Sequence, residues 1–129
     1  MKKVYAALLI AAIHAGAMAE WLRVGSNERT TMYADPSTIR KSGSLVKIWC
    51  LSDEVNIKDD GGGSLPYLSS KDQSEYDCKE EHQRTLYFTN HIENMGKGEV
   101  VFVSTTPLKW IPIAPGSLIE APWKIACNK

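Results

Sequence analysis

Apolar and polar residues alternate with a period of two over much of the chain, which predicts strands. Trp21-Leu22-Arg23-Val24 alternates until Ser26 to Glu28 interrupts it, and Thr30-Thr31-Met32-Tyr33 is a second short β-prone run. Asp35-Pro36-Ser37-Thr38 is turn chemistry, with proline presetting φ. Ser44 to Asp53 is the clearest strand. Lys47, Trp49, Leu51 and Asp53 point one way, and Val46, Ile48 and Cys50 point the other, which the pattern assigns to the core. Gly61-Gly62-Gly63 marks a flexible loop, and a polar segment follows it. Glu75 to Asn90 reads as one further strand. Asn94-Met95-Gly96-Lys97-Gly98 reads as a hairpin loop, and Glu99 to Thr105 as the returning strand. Pro107, Pro112 and Pro115 then keep the chain extended and unpaired.

Near the end the period becomes helical. Ser117-Leu118-Ile119-Glu120 has the spacing of a capping box. Ile119, Trp123, Ala126 and Cys127 then share one helical face, and Pro122 predicts a kink or a ragged first turn. The pattern is therefore strands followed by one short helix, with no repeat and no second domain.

The first 19 residues stand apart. Lys2 and Lys3 precede an unbroken apolar stretch from Val4 to Ile13, and Ala17-Met18-Ala19 supplies a small-x-small cleavage pattern. Residues 1–19 are thus expected to be a signal peptide, with residues 20–129 the mature domain. No cysteine stands at the cleavage point, so a lipid anchor is not expected, and no later apolar run spans a membrane. Periplasmic or secreted localisation follows. The whole chain carries 15 Lys plus Arg against 15 Asp plus Glu, and losing the leader removes two lysines and no acid. A slightly acidic mature chain argues against nucleic acid as a partner.

Three cysteines then meet an oxidising compartment, where thiols within reach form disulfides. Loop-closure entropy separates the pairings by only a few tenths of a kcal/mol, roughly. Position is more informative, because Cys127 lies on the apolar face of a helix too short to be stable alone.

Recognised catalytic patterns are missing. There is no Gly-x-Ser-x-Gly, His-Glu-x-x-His, Cys-x-x-Cys or phosphate loop. Cys78 and His82, if on one strand, sit roughly 13 Å apart, too far for one metal ion or a nucleophile–base pair. No enzyme activity, metal or cofactor is expected. The acidic run Glu75, Asp77, Glu80 and Glu81 reads as a solvated strand face or a contact surface for a basic partner. Trp110, in a proline-bracketed extended stretch, is the candidate exposed anchor for a partner. Trp49, beside Lys47 and Asp53, is the second candidate, either partly exposed or lying under the helix.

Several segments resemble the surface-adhesin protein E-like family of Gram-negative bacteria. They are Trp21-Leu22-Arg23-Val24-Gly25, Tyr33-Ala34-Asp35-Pro36-Ser37-Thr38-Ile39-Arg40, Val46-Lys47-Ile48-Trp49, Tyr67-Leu68-Ser69-Ser70-Lys71, Tyr76-Asp77-Cys78-Lys79-Glu80-Glu81, Asn94-Met95-Gly96-Lys97-Gly98-Glu99-Val100-Val101, Trp110 with Pro112, and Trp123-Lys124-Ile125-Ala126-Cys127. The resemblance implies an α+β fold, a curved antiparallel sheet with one C-terminal helix on its concave face. It also implies a Cys78–Cys127 disulfide, leaving Cys50 as a buried small hydrophobe or a free thiol. Binding of host extracellular-matrix proteins is what the family's founding member suggests, and a bacterial envelope protein is the other expected partner. Two alternatives fit a small exported β-rich domain. One is a haem-like small-ligand binder with His82 or His91 as axial ligand, and the other is an inhibitor of an envelope-degrading enzyme. An unpaired sheet edge would permit homodimers by strand pairing.

Overall fold

The computed structural model describes residues 20–59 and 65–129. The expected leader and the Gly61–Gly63 loop lie outside the described residues. β1 (Leu22–Ser26), β2 (Thr30–Ser42), β3 (Leu45–Lys58), β4 (Tyr67–Asp77), β5 (His82–His91) and β6 (Val100–Ser104) lie side by side in chain order. Every neighbouring pair is antiparallel. A short β7 (Ile111–Pro112) pairs with the start of β5, and α1 (Glu120–Cys127) ends the chain. The architecture is an open antiparallel sheet with one helix packed on one face.

β3 behaves as its alternation predicts. Val46, Ile48 and Cys50 are buried under α1 together with Ala34, Tyr76 and Ala126, and Val24, Ile39, Ile113 and Trp123 close the rim. Gly25 lets the helix come close to β1, since a Cβ there would lie 2.9 Å from that of Ala121. The disulfide joins Cys78, in the β4–β5 turn, to Cys127 in the last turn of α1, with Cα atoms 5.6 Å apart. Cys50 is the free thiol and is fully buried.

Several elements differ from their expected form. Glu75 to Asn90 is not one strand. Asp77 accepts backbone N–H bonds from Lys79 and Glu80, and the resulting turn separates β4 from β5. Cys78 therefore sits in a turn and is committed to the disulfide, so the strand distance to His82 does not apply. The polar segment after the glycines is β4 itself. Asp35-Pro36-Ser37-Thr38 does not end a strand but forms a bulge inside β2. Asp35 faces Trp49 and Arg40 faces Lys47, so three extra residues are accommodated in β2. Thr38 bridges that bulge, donating from Oγ1 to the Asp35 carbonyl (2.6 Å) and accepting from the Trp49 N–H (2.9 Å).

The capping box does not form either. Ser117 Oγ donates backwards to the Ala114 carbonyl, Ile119 occupies the N-cap, and Glu120 accepts from the Gly116 N–H. Pro122 falls in the first helical turn, where its missing N–H had no intrahelical partner to lose, and the entry is ragged as expected, with Glu120 and Ala121 donating to carbonyls three residues back. Pro112 pairs across from His82 at a sheet edge, where proline is tolerated.

Candidate functional site

The face opposite α1 carries the surface residues that stand out chemically. Cross-strand partners set side chains in rows across an antiparallel sheet. One row reads Arg40, Lys47, Glu75, Arg84, and the next reads Asp35, Trp49, Gln73, Tyr87. Arg84 and Tyr87 are three apart in sequence and would normally face opposite ways. The register skips Leu86, since Gln73 pairs with Tyr87 and Ser74 with Thr85, and this bulge brings both onto the open face.

Glu75 is 5% exposed, and it holds Arg84 through Nη2 (2.8 Å) and Nε (2.9 Å). The acidic run is therefore not simply solvated, because Glu75 is spent on Arg84 and Asp77 on its turn. Trp110 lies over the other side of that guanidinium, 4.7 Å from Arg84 Cζ to the ring centroid. Trp110 is 38% exposed, while Trp49 is half-buried and meets Tyr87 edge-on with centroids 5.7 Å apart. Both predicted anchors lie on this face, Trp49 away from the helix. Trp110 contacts Arg84 and Trp49 contacts Tyr87, two β5 residues that the sequence pattern did not single out.

Farther along the same face, the β5–β6 connection folds back onto the sheet. A single 3-10 turn (Asn94–Gly96) places the Met95 N–H and the Asn94 amide on Asp53 Oδ1, at 2.7 and 3.0 Å. Ser69 Oγ accepts from the Gly96 N–H and donates to the Glu93 carbonyl. Gly96 has φ of +70°, and a Cβ there would strike Lys71 and crowd Leu51. Leu51 is fully buried beneath this turn.

The two candidate axial histidines, His82 and His91, lie at opposite ends of β5. His91 is buried, with Nε2 2.8 Å from Thr89 Oγ1, and burial followed by the Lys71 charge lowers its pKa. His82 is half-buried across from Pro112. The fold neither pairs them nor directs both to one cavity. Among the described residues no group of three or more His, Cys, Asp or Glu could hold a metal ion.

The free thiol sits on the helix face. Burial, and then the Asp72 carboxyl opposite, push Cys50 well above the usual thiol range. A thiol so protonated and enclosed is a poor nucleophile. Asp72 is raised to about 6 by burial, against the opposing bond donated by Ser74 Oγ.

No curated protein matches the sequence. Solved structures do match in fold. Crystal form II of Haemophilus influenzae protein E aligns with a TM-score of 0.65 at 13% identity, covering 87% of this chain and 90% of that one. Its Se-Met form gives 0.63 at 13%, covering 87% and 88%. Protein E from non-typeable Haemophilus influenzae gives 0.54 at 14%, covering 87% and 78%. Among the described residues no helix is long and apolar enough to cross a membrane. The sequence profile described as surface-adhesin protein E matches residues 21–128, and the chain belongs to that family.

Proposed function

We propose that this chain is an exported, non-catalytic binding protein that engages a protein partner, in host extracellular matrix or in the bacterial envelope, through the sheet face opposite its helix. The observation carrying this reading is Trp110 stacked on Arg84, an exposed aromatic held by a side chain that is itself pinned by Glu75. Tryptophan and arginine dominate interface energetics, and a pre-ordered pair loses little freedom on binding. Trp49 and Tyr87 extend the apolar surface from the next row. Family membership supports a surface or exported role.

Purified mature protein and its Trp110→Ala variant, run side by side over immobilised matrix and envelope extracts, test this. Loss of at least tenfold in retention, with an unchanged melting curve, is the expected result for a hot-spot residue worth about 2 kcal/mol. Equal retention of the two proteins would remove this face from the function.

A further inference from the structure

Asp35 is 3% exposed, and its carboxylate is turned toward the start of the domain. Oδ1 accepts from the Ser37 N–H (3.0 Å) and the Ser37 hydroxyl (2.6 Å), and Oδ2 accepts from the Glu20 nitrogen (3.2 Å). Among the described residues Asp35 takes part in no ion pair, so no described side-chain cation neutralises it. A carboxylate removed from water calls for a counter-charge as well as donors.

The atom on Oδ2 is the nitrogen at which the leader is expected to end. In the unprocessed chain it is a neutral amide. Hydrolysis of the Ala19–Glu20 bond gives the water's hydroxyl to the Ala19 carbonyl carbon and protons to the Glu20 nitrogen. The same atom then becomes a primary ammonium.

We propose that processing after Ala19 completes this corner of the fold, the new amino terminus being the cation that the Asp35 bulge is shaped to receive. The proposal rests on residues 1–19 being a cleaved leader and is independent of any partner. It gives the bulge a purpose. Pro36 contributes no N–H, Ser37 fills Oδ1 with two bonds, and Oδ2 is left facing Glu20, the residue that follows the expected cleavage point. Trp21, Leu22, Pro36 and Ser37 line the cleft beside the contact. The charged neighbours are the exposed Glu20 carboxylate, Arg40, whose Nη1 reaches the Ser37 carbonyl (3.3 Å), and Lys47 across from Arg40. A precursor thus folds with a neutral donor at Oδ2 and gains the ion pair only once the leader is gone.

The test compares protein recovered after export with the same chain retaining Ala17-Met18-Ala19, by denaturant melts between pH 5.5 and 10.5. Intact mass should place Glu20 first. At pH 7 the processed form should have a folding equilibrium constant about tenfold larger, the difference between a charge-assisted and a neutral hydrogen bond. The carboxylate holds the folded amine above its unfolded pKa of about 8, so the advantage is full below about pH 8 and lost as pH rises through the folded value. Asp35→Asn should abolish the difference between the two forms. A different first residue, equal stability at pH 7, or an advantage that persists in Asp35→Asn would each overturn the proposal. Should Asp35→Asn not fold, an advantage that stays constant from pH 7 to 10.5 overturns it instead.

Discussion

The two faces of the sheet are held by different physics. Under the helix, Ala34, Val46, Ile48, Cys50, Tyr76 and Ala126 form an apolar layer closed by a covalent bond. The opposite face is organised by directed contacts, with Arg84 between Glu75 and Trp110, and Asp53 and Ser69 receiving the 3-10 turn. An apolar layer tolerates any packing that fills space, whereas a polar surface must be specified atom by atom. Partly exposed aromatic and charged side chains accordingly collect on the second face.

Removing the disulfide should break the comparison most strongly. Cys78→Ser with Cys127→Ser releases a loop closed over a sequence separation of 49, worth about 4 kcal/mol by loop-closure entropy. An eight-residue helix is marginal without its anchor, so the loss should appear as a lower denaturant midpoint with reduced helical circular dichroism. Retention of the wild-type midpoint would mean that apolar packing alone holds the helix.

Leu51→Ala asks whether the open face hides a core of its own. The side chain is fully enclosed by the turn carrying Gly96, and its truncation should cost about 3 kcal/mol. Hydrogen exchange should rise first at the Met95 and Gly96 amides, with the amides of α1 unaffected. Uniform loosening would show that the two faces are not separable.

Asp72→Asn should act in the opposite direction and more weakly. Its carboxyl, at about 6 in the folded protein against 3.8 otherwise, binds its proton more tightly when folded. Asp72 therefore adds stability as pH falls from about 6 to 3.8 and opposes folding at neutral pH. The asparagine variant should be more stable than wild type by about 1 kcal/mol at pH 7, after allowing for partial solvent access, and equal to it near pH 3.5. His91, lowered by burial, contributes the opposite slope below pH 6.5, but it is common to both proteins and cancels in the difference.

The sequence made the helix-face layer legible because alternation in β3 and the period change at Ile119 are direct consequences of burial. β4 was not, since Ser69, Ser70, Lys71, Asp72, Gln73 and Ser74 carry no apolar alternation. That strand is central, yet its polar side chains are absorbed by neighbours, with Ser70 on Asn90 and Ser74 on Asp72. Trp110 and Trp49 were visible as candidates from composition and context. Arg84 and Tyr87 were not, because a bulge at Leu86 decides which way they point, and no residue there announces it. At Glu75 the acidic run misled for a similar reason, as its half-buried cationic partner Arg84 lies nine residues away on another strand.

The strict chain-order arrangement of the six main strands has a consequence for timing. Each hairpin closes using only residues already present, so the sheet can zip from the β1 end as the chain emerges, with small loop-closure costs at each step. The helix alone must travel back from the far edge to β1 and β2. Oxidation to the correct pairing therefore waits until the helix, which follows every strand in chain order, has been made. Cys50 pairs across from Asp72, six positions along the strand from Ser44, whose carbonyl accepts from the Cys78 N–H; at about 3.3 Å per residue it stands about 20 Å from Cys78 and does not compete for it during that interval.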